Sequence, residues 1–327
     1  RDHNAIYFGA AGDPQVPPGV LEVGLILKIR FDLDQYINLR PIKLYPNVWT
    51  PLRTEEPIDF YVIRENAEDF YNGMGVIFRS SGERDQIHHC ELSMKRVPYQ
   101  LGISLDSRMD TPDDYALAMG VITRQGARRA MRYAFELARA KGKHKVTAVD
   151  KVNVLPDLYG LWREVFREVA REYPEIETEF AFADATAMWF VKKPETYGVV
   201  VMPNLFGDVL TDLGAEITGG LGFAAGGNIN PAGVSMFEPI HGSAPDIAGQ
   251  DKANPIATIL SVAMMFRYSF HLAAEADAVE AAVDAVLSEG WRTPDIAEPG
   301  VTPIGTQEMG RRIRRAFIPS DFDHLLP

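Results

Sequence analysis

The sequence has little of several features that would point to particular protein classes. Its 327 residues include a single cysteine, Cys90, which excludes an intrachain disulfide and fits a reducing, cytoplasmic environment. No apolar stretch approaches the ~18–20 residues that cross a bilayer, and the longest, 256–266, predicts a buried helix. Acidic residues outnumber basic ones, 45 to 33, which disfavours sequence-independent nucleic-acid binding. We therefore expect neither a nucleic-acid nor a membrane partner.

Short apolar runs that predict strands alternate with amphipathic runs that predict helices. Strand-like runs lie at 5–8, 60–63, 146–149 and 199–202, and helical runs at 124–141, 158–172, 205–219, 255–274 and 276–288. This alternation, in a chain long enough for about two domains, predicts an α/β protein with a mostly parallel sheet. Residues 4–12 look like a core strand that enters a glycine turn, so we expect further chain before Arg1.

Two segments interrupt this alternation. Residues 72–113 are polar and rich in turn formers, which favours a protruding arm or an intersubunit clasp. Residues 221–238 are rich in Gly, Asn and Pro and predict a loop near the functional site.

Three aspartates form a candidate site for a divalent cation. Asp208 and Asp212 are four residues apart in a predicted helix and therefore share one face, and Asp184 follows a predicted strand. Carboxylate oxygens are the ligands that Mg²⁺ and Mn²⁺ prefer. The alternative is two solvated aspartates and a helix cap.

Three arginines, one tyrosine and one lysine are the other candidates for chemistry. Arg30, Arg40 and Arg64 can bind a dicarboxylate, because guanidinium groups pair with carboxylates in a bidentate manner. Lys151 follows a strand and suits a general base, whereas Tyr71 can return a proton to carbon. Surface ion pairs, a tyrosine at the edge of the core and a solvated loop lysine are the structural alternatives.

The string EPIHGSAPDIAG at 238–249 is the most specific motif in the sequence. The small residues Gly242, Ser243 and Ala244 allow backbone N–H groups to approach a phosphate. Asp246 can accept hydrogen bonds from the ribose hydroxyls of NAD and would repel the 2′-phosphate of NADP. No GxGxxG follows a strand, so the site is not of the Rossmann type; an ordinary Gly/Pro loop is the alternative.

Four ordered motifs, NLRP (38–41), DKVNVL (150–155), NLFGDVLTDL (204–213) and FEPIHGSAPDIAG (237–249), resemble those of the β-decarboxylating dehydrogenases, the isocitrate/isopropylmalate dehydrogenase family. The resemblance implies an isopropylmalate dehydrogenase-like two-domain fold with a large twisted mixed sheet and an arm, and a homodimer with shared active sites. It also implies a cofactor-binding domain (1–35 and 220–327, without its N-terminal strand). The substrate, metal and dimerisation domain would be 36–219, with the arm at about 72–113.

The resemblance assigns a role to each candidate residue. It implies that Tyr71 is the proton donor and Lys151 the base, lent by the partner subunit. It implies that Arg30, Arg40, Arg64 and Asn153 bind substrate, and that Asp208, Asp212 and the partner's Asp184 bind Mg²⁺ or Mn²⁺. The implied NAD contacts are His241, Gly242, Ser243, Ala244, Asp246 and Asn254.

The implied reaction is metal-dependent oxidative decarboxylation of a 2-hydroxy dicarboxylic acid with NAD as hydride acceptor. The apolar run Leu25-Ile26-Leu27 favours 3-isopropylmalate, because an apolar lining would leave a third carboxylate unpaired. The string RENAEDFY (64–71) is closer to the isocitrate, homoisocitrate and malate branches, so tartrate or D-malate and isocitrate or homoisocitrate remain alternatives. A non-catalytic regulatory subunit and a metal-dependent phosphatase are the alternatives from other classes.

Overall fold

The computed structural model describes residues 3–17, 19–54 and 56–317. Its strands are β1 (Ala5–Tyr7), β2 (Ile37–Lys43), β3 (Asp59–Glu65), β4 (Gly75–Phe78), β5 (Gln86–Arg96), β6 (Tyr99–Met109), β7 (Tyr115–Ala118), β8 (Lys145–Asp150), β9 (Glu177–Phe182), β10 (Val199–Met202), β11 (Ala225–Ile229) and β12 (Ser235–Pro239). Eight of them form one sheet in the order β1-β12-β11-β2-β3-β10-β8-β9. Pairing is parallel at β1–β12 and from β3 through β10 and β8 to β9, and antiparallel between β12, β11, β2 and β3. The predicted mixed α/β sheet is confirmed.

Helices cover both faces of this sheet. A π-helical segment (Glu22–Leu27) leads into α1 (Lys28–Asp32), and the remaining helices are α2 (Arg124–Ala140), α3 (Pro156–Ala170), α4 (Ala183–Lys192), α5 (Asn204–Glu216), α6 (Ile256–Tyr268), α7 (Ala273–Ser288) and α8 (Thr306–Phe317). Short 3₁₀ turns occupy Pro194–Thr196, Leu221–Phe223 and Pro294–Ile296. Within the described ranges, no helix combines the length and apolarity needed to cross a membrane.

The central strand β10 shows why the chain folds into layers. Val199 and Val201 pack in the core that α2, α3, α6, α7 and α8 share, whereas Val200 and Met202 pack against α4 and α5. A strand that is covered on both faces must be apolar at every position, and the sequence VVVM meets that requirement.

The loop predicted for residues 221–238 is wrong: the segment contains one 3₁₀ turn and the strands β11 and most of β12, both fully buried. The glycines that suggested a loop are needed inside the sheet, because a Cβ on Gly226 would collide with the Ile240 side chain and one on Gly227 would lie 3.0 Å from Phe237 Cε1. The single helix predicted for 255–274 is also wrong in its extent, since α6 ends at Tyr268 and α7 begins at Ala273.

The interrupting segment forms β-structure outside the main sheet. Strands β5 and β6 make a long antiparallel hairpin, and β4 pairs with β7 at its base. The turn of the hairpin returns to the body of the protein: the Arg96 guanidinium donates to the Ala67 carbonyl, and the Tyr99 hydroxyl donates to Glu68 at 2.7 Å. The arm is therefore anchored beside the loop that follows β3.

Candidate functional site

Two arginines from adjacent antiparallel strands converge on one face of α5. Arg64 of β3 forms a short ion pair with Asp208. Arg40 of β2 lies 3.5 Å from Asp208 Oδ1 through Nη2 and 3.6 Å from Asp212 Oδ1 through Nη1. Thus four of the predicted site residues, from three elements, form one cluster.

Local sequence around α5 explains this convergence. Gly207 lets the helix lie directly on β3, because a Cβ there would sit 2.5 Å from Arg64 Cγ. Arg64 Nε donates to the Asn204 carbonyl and side-chain oxygens at 3.0 and 2.8 Å. Asp69, in the loop after β3, accepts from the Leu205 N–H at 2.8 Å and so satisfies one free donor at the helix start.

Tyr71 belongs to the same cluster. Its hydroxyl donates to Asp208 Oδ2 at 2.6 Å, and the Arg64 guanidinium lies 4.9 Å from its ring centroid. Burial raises the pKa of the Tyr71 hydroxyl, and the Asp208 carboxylate raises it further. The tyrosine therefore keeps its proton at neutral pH and can serve as a proton donor.

The third arginine, Arg30, lies on α1 and faces the cluster from another side. Its Nη2 lies 3.2 Å from Glu238 Oε1, and its Nη1 donates weakly to Asn66 Oδ1 at 3.4 Å. Asn228 of β11 accepts from Asn66 at 3.0 Å and donates to Glu238 at 2.6 Å, which fixes both residues. A buried amide network therefore supports the arginine.

Burial and neighbouring charges set the state of the two helix carboxyls. Burial raises the pKa of the Asp208 carboxyl, but Arg64, the Tyr71 hydroxyl and Arg40 together outweigh burial and lower it. For Asp212, burial raises the pKa, Arg40 partly offsets this, and Asp208 adds to the rise. Asp208 is therefore held as an anion, and Asp212, whose side chain is 62% exposed, is the carboxylate that remains open to a further cation.

The arginines meet the cofactor motif in a cavity of about 130 Å³. Arg30, Arg40, Ile26, His241 and Gly242 are among the residues that line it. The motif loop is ordered against the N-terminal turn, since Ser243 lies directly beside Gly12. The two arginines thus form a cationic wall of the cavity, Ile26 forms an apolar wall, and His241 and Gly242 of the motif loop form a third.

The other predicted cofactor residues differ in their freedom to bind a ligand. Asp246 is exposed. Ala244 adopts a positive φ of 46°, which changes the direction of the backbone within the loop. Asn254 is buried: its side chain donates to Asp295 at 3.0 Å and accepts from the Ile256 N–H at 3.0 Å. A role for Asn254 through its side chain would require it to exchange these partners, so its part in cofactor binding stays a prediction.

Lys151 and Asp184 lie apart from the cluster and bind each other. Lys151 Nζ is 2.8 Å from Asp184 Oδ1, and this hydrogen bond lowers the pKa of the Asp184 carboxyl. Asn153 is exposed in the same loop. Across the described ranges, no three His, Cys, Asp or Glu side chains of this chain come together in a way that could hold a metal ion. One chain thus supplies two of the three predicted metal ligands at the arginine cluster.

Exposed apolar side chains occur on the elements that carry this second group, and we call them the apolar patch. Met188 and Trp189 on α4 are 69% and 40% exposed, Val209 on α5 is 61% exposed, and Val154 and Val191 are also exposed. Since α4 packs beside α5, these residues lie on the neighbouring helices that carry Asp184, Asp208 and Asp212, and on the loop of Lys151. Exposed apolar groups of this kind are typical of interaction sites.

Sequence reasoning missed the residues that support the site. Glu238 and Asn66 pair with Arg30, and Asn228 bonds both of them; the signal for Glu238 was its place as the first residue of the cofactor motif. The acids of RENAED, Glu65, Glu68 and Asp69, are buried and accept hydrogen bonds from backbone, tyrosine and threonine groups. Three acids in six residues were a visible signal, but their partners come from distant segments.

Comparisons with known proteins identify the family. A family model described as isocitrate/isopropylmalate dehydrogenase matches residues 1–313. The 3-isopropylmalate dehydrogenase of Streptomyces griseus is 47% identical over 293 residues, which are 88% of this chain and 75% of that protein. The enzyme of the same name from Corynebacterium diphtheriae is 44% identical over 97% of this chain and 83% of its own. The crystal structure of isocitrate dehydrogenase from Methylococcus capsulatus matches with a TM-score of 0.78 and 33% identity, covering 94% of this chain and 80% of that one. The chain therefore belongs to the isocitrate/isopropylmalate dehydrogenase family.

Proposed function

We propose that this protein catalyses the oxidative decarboxylation of a 2-hydroxy dicarboxylic acid with NAD and a divalent cation, Mg²⁺ or Mn²⁺, and that its preferred substrate is 3-isopropylmalate. The observation that carries the proposal is the cavity in which Arg30 and Arg40 meet the apolar Ile26 and the motif residues His241 and Gly242. This lining suits a ligand with two carboxylates and an alkyl substituent beside a dinucleotide.

The charges of the cluster support a metal-bound dicarboxylate. Three guanidinium groups are balanced by three carboxylates, namely Arg30, Arg40 and Arg64 with Glu238, Asp208 and Asp212. A dicarboxylate alone would add two negative charges to this balanced site, and a divalent cation would compensate them. The all-oxygen donors Asp208 and Asp212 fit a hard cation, and such an ion would supply Lewis-acid stabilisation of negative charge on a substrate oxygen.

The chain's own residues would perform the binding and the proton transfers. Arg30, Arg40 and Arg64 would hold the substrate carboxylates and so orient the C2–H bond toward the nicotinamide. Lys151 would remove the hydroxyl proton during hydride transfer, and Tyr71 would protonate C3 after loss of CO₂. Asp246, exposed at the end of the motif loop, would accept hydrogen bonds from the ribose of NAD.

The position of Lys151 and Asp184 supports our proposal of a homodimer with shared sites. Both lie beside the apolar patch rather than at Tyr71, so they would serve the site of a second copy. Burial of the patch against the same patch of that copy would give a two-fold symmetric interface. In the same way, the division into a cofactor domain (1–35 and 220–327) and a substrate domain (36–219) remains our proposal, with β11 and β2 as the strands where the two would join.

The test is NADH formation by the full chain with Mn²⁺ across 3-isopropylmalate, D-malate, tartrate, isocitrate and homoisocitrate. We expect the highest kcat/KM for 3-isopropylmalate, loss of activity on chelation, and a strong preference for NAD over NADP. A higher kcat/KM for another acid would overturn the substrate, and no NADH with any of them would favour a regulatory subunit. Release of phosphate from a phosphomonoester would favour the phosphatase.

A matched variant tests the apolar wall. Ile26→Ser should lower kcat/KM for 3-isopropylmalate by roughly 10- to 100-fold, because a hydrophobic pocket discriminates alkyl groups by about that factor. Val97→Ser, an exposed apolar residue on the turn of the arm hairpin, is the control and should leave kcat/KM unchanged.

A further inference from the structure

A second cavity, of about 80 Å³, lies at the point in the sheet where β2 and β11 separate. The two strands pair only along Ile37–Leu39 of β2; its remaining residues, through Lys43, pair with β3 alone. We call the resulting space the β2–β11 cavity. Phe223, Leu260 and Met264 give it an apolar wall.

Most charged groups that line the β2–β11 cavity are neutralised by neighbours. Arg40 faces Asp208 and Asp212, as described above. Arg267 binds two carboxylates of α7, and Asp59 binds a lysine at 2.8 Å; these partners are Asp277, Glu280 and Lys143. These lining groups therefore offer little net charge to a ligand.

Two lining cations are different. Within the described ranges, neither Lys43 nor Lys141 has a carboxylate within ion-pair distance. Lys141 Nζ lies 5.7 Å from the ring centroid of Tyr61 and 6.0 Å from that of Tyr268, and Lys43 Nζ lies 4.8 Å from that of Tyr45. Ring faces are weaker partners for an ammonium group than a carboxylate.

The pKa of the half-buried Lys141 ammonium group is lowered. Burial lowers it most, the Arg267 guanidinium lowers it further, and the more distant carboxylates of Glu280, Asp277 and Asp59 offset this only in part. An anion in the cavity would favour the charged form of the lysine. The cavity thus combines an apolar wall, three tyrosine rings and two cations that, within the described ranges, have no carboxylate within ion-pair distance.

We propose that the β2–β11 cavity, which adjoins the active-site cavity at Arg40 and Ile240, is a second ligand site that binds a small organic monocarboxylic acid. Its carboxylate would pair with Lys141 and Lys43, and its apolar body would lie against Leu260 and Met264. The volume would hold roughly five to eight water-sized groups, which sets the size of the ligand.

The probes are cyclopentanecarboxylate and its uncharged isostere cyclopentanecarboxamide, titrated into the full chain and followed by ligand-detected NMR. Since the site contributes charge as well as apolar contact, we expect saturable binding of the acid, at least about tenfold tighter than that of the amide. Equal affinities, or no saturable binding of the acid, would overturn the proposal.

Variants locate the bound acid. Lys141→Met should weaken binding about tenfold or more, Lys141→Arg should largely preserve it, and the exposed Lys193→Met should leave it unchanged. An acid bound by the arginines of the active site would keep its affinity in Lys141→Met, which would contradict the proposal. If Lys141→Met does not fold, Lys43→Met is tested with the same acid and amide. An affinity for the acid that is unchanged in Lys43→Met would also contradict the proposal.

Discussion

The two halves of the candidate site differ in how completely one chain builds them. The first half, Arg40, Arg64, Tyr71 and Asp208, is joined by ion pairs and a 2.6 Å hydrogen bond, and both arginines are buried. The second half is the ion pair of Lys151 with Asp184, and the Asp184 side chain is 68% exposed. Strands and a helix of one core position the first half, whereas the second borders an uncovered apolar surface.

On the proposed function, this difference corresponds to a division of labour between copies of the chain. The groups proposed to bind and orient the substrate are positioned within one chain. The proposed base and third metal ligand would be fixed only when a partner covers Met188, Trp189 and Val209. Such a site would be active only in the assembled form, and each half could be damaged independently.

The largest expected effect comes from removing the proton-transfer group of either half. Tyr71→Phe and Lys151→Ala should each lower kcat by about 10²- to 10⁴-fold, the range of general acid–base catalysis. Sedimentation and thermal unfolding should show dimers of nearly unchanged stability. Turnover near the wild-type value in either variant would refute the assigned role.

A charged residue in the apolar patch should separate the two protomers, and with them the two halves of each proposed site. It alters no residue of either half. Met188→Glu places a carboxylate in the proposed interface, where its desolvation should weaken dimerisation by about 10- to 100-fold. Activity should then depend on protein concentration, measured by dilution alongside sedimentation. Leu272→Glu, at an exposed apolar residue away from the patch, is the control. An equal effect of both substitutions would argue against the patch as the interface.

The smallest expected effect concerns the buried support of the first half. Burial raises the pKa of Glu65 from an ordinary value near 4.5 to about 8, and Glu68 contributes to the rise. Between those values the folded chain holds a proton that the unfolded chain has released. This contribution to stability is therefore present in full below about pH 4.5 and is lost as the pH rises through about 8.

Thermal unfolding between about pH 5 and pH 8 measures this effect. In Glu65→Gln, the fall in Tm over this pH range should be smaller than in the wild type by a few degrees, because glutamine cannot ionise. Glu195→Gln, at an exposed position, should follow the wild-type curve. A Glu65→Gln curve parallel to that of the wild type would mean that Glu65 is ionised throughout.

The sequence predicted the first half of the candidate site better than the elements and residues that support it. The spacing of Asp208 and Asp212 placed both on one helix face, and the apolar run at 199–202 predicted a strand; the structure has both features. It could not predict β11, because Gly226 and Gly227 are typical of loops until the neighbouring side chains that exclude a Cβ are known.

Long-range partners were beyond the reach of local patterns. The pairing of Arg30 with Glu238 joins residues 208 positions apart, and no periodicity encodes it. No motif or spacing in the sequence singled out Lys43 or Lys141. They line one cavity only because β2 separates from β11 in the fold. The second half of the site was recognisable by motif, but its distance from Tyr71 emerged only from the fold.

A hybrid dimer tests the shared site most directly. One chain carries Lys151→Ala, the other Tyr71→Phe, and differently tagged copies are co-expressed and purified as the heterodimer. Because one of its two sites would combine the intact Tyr71 of one chain with the intact Lys151 of the other, we expect about half of wild-type turnover. Both parent homodimers should be nearly inactive. A heterodimer as inactive as its parents would show that each site is built within one chain, and would contradict the account.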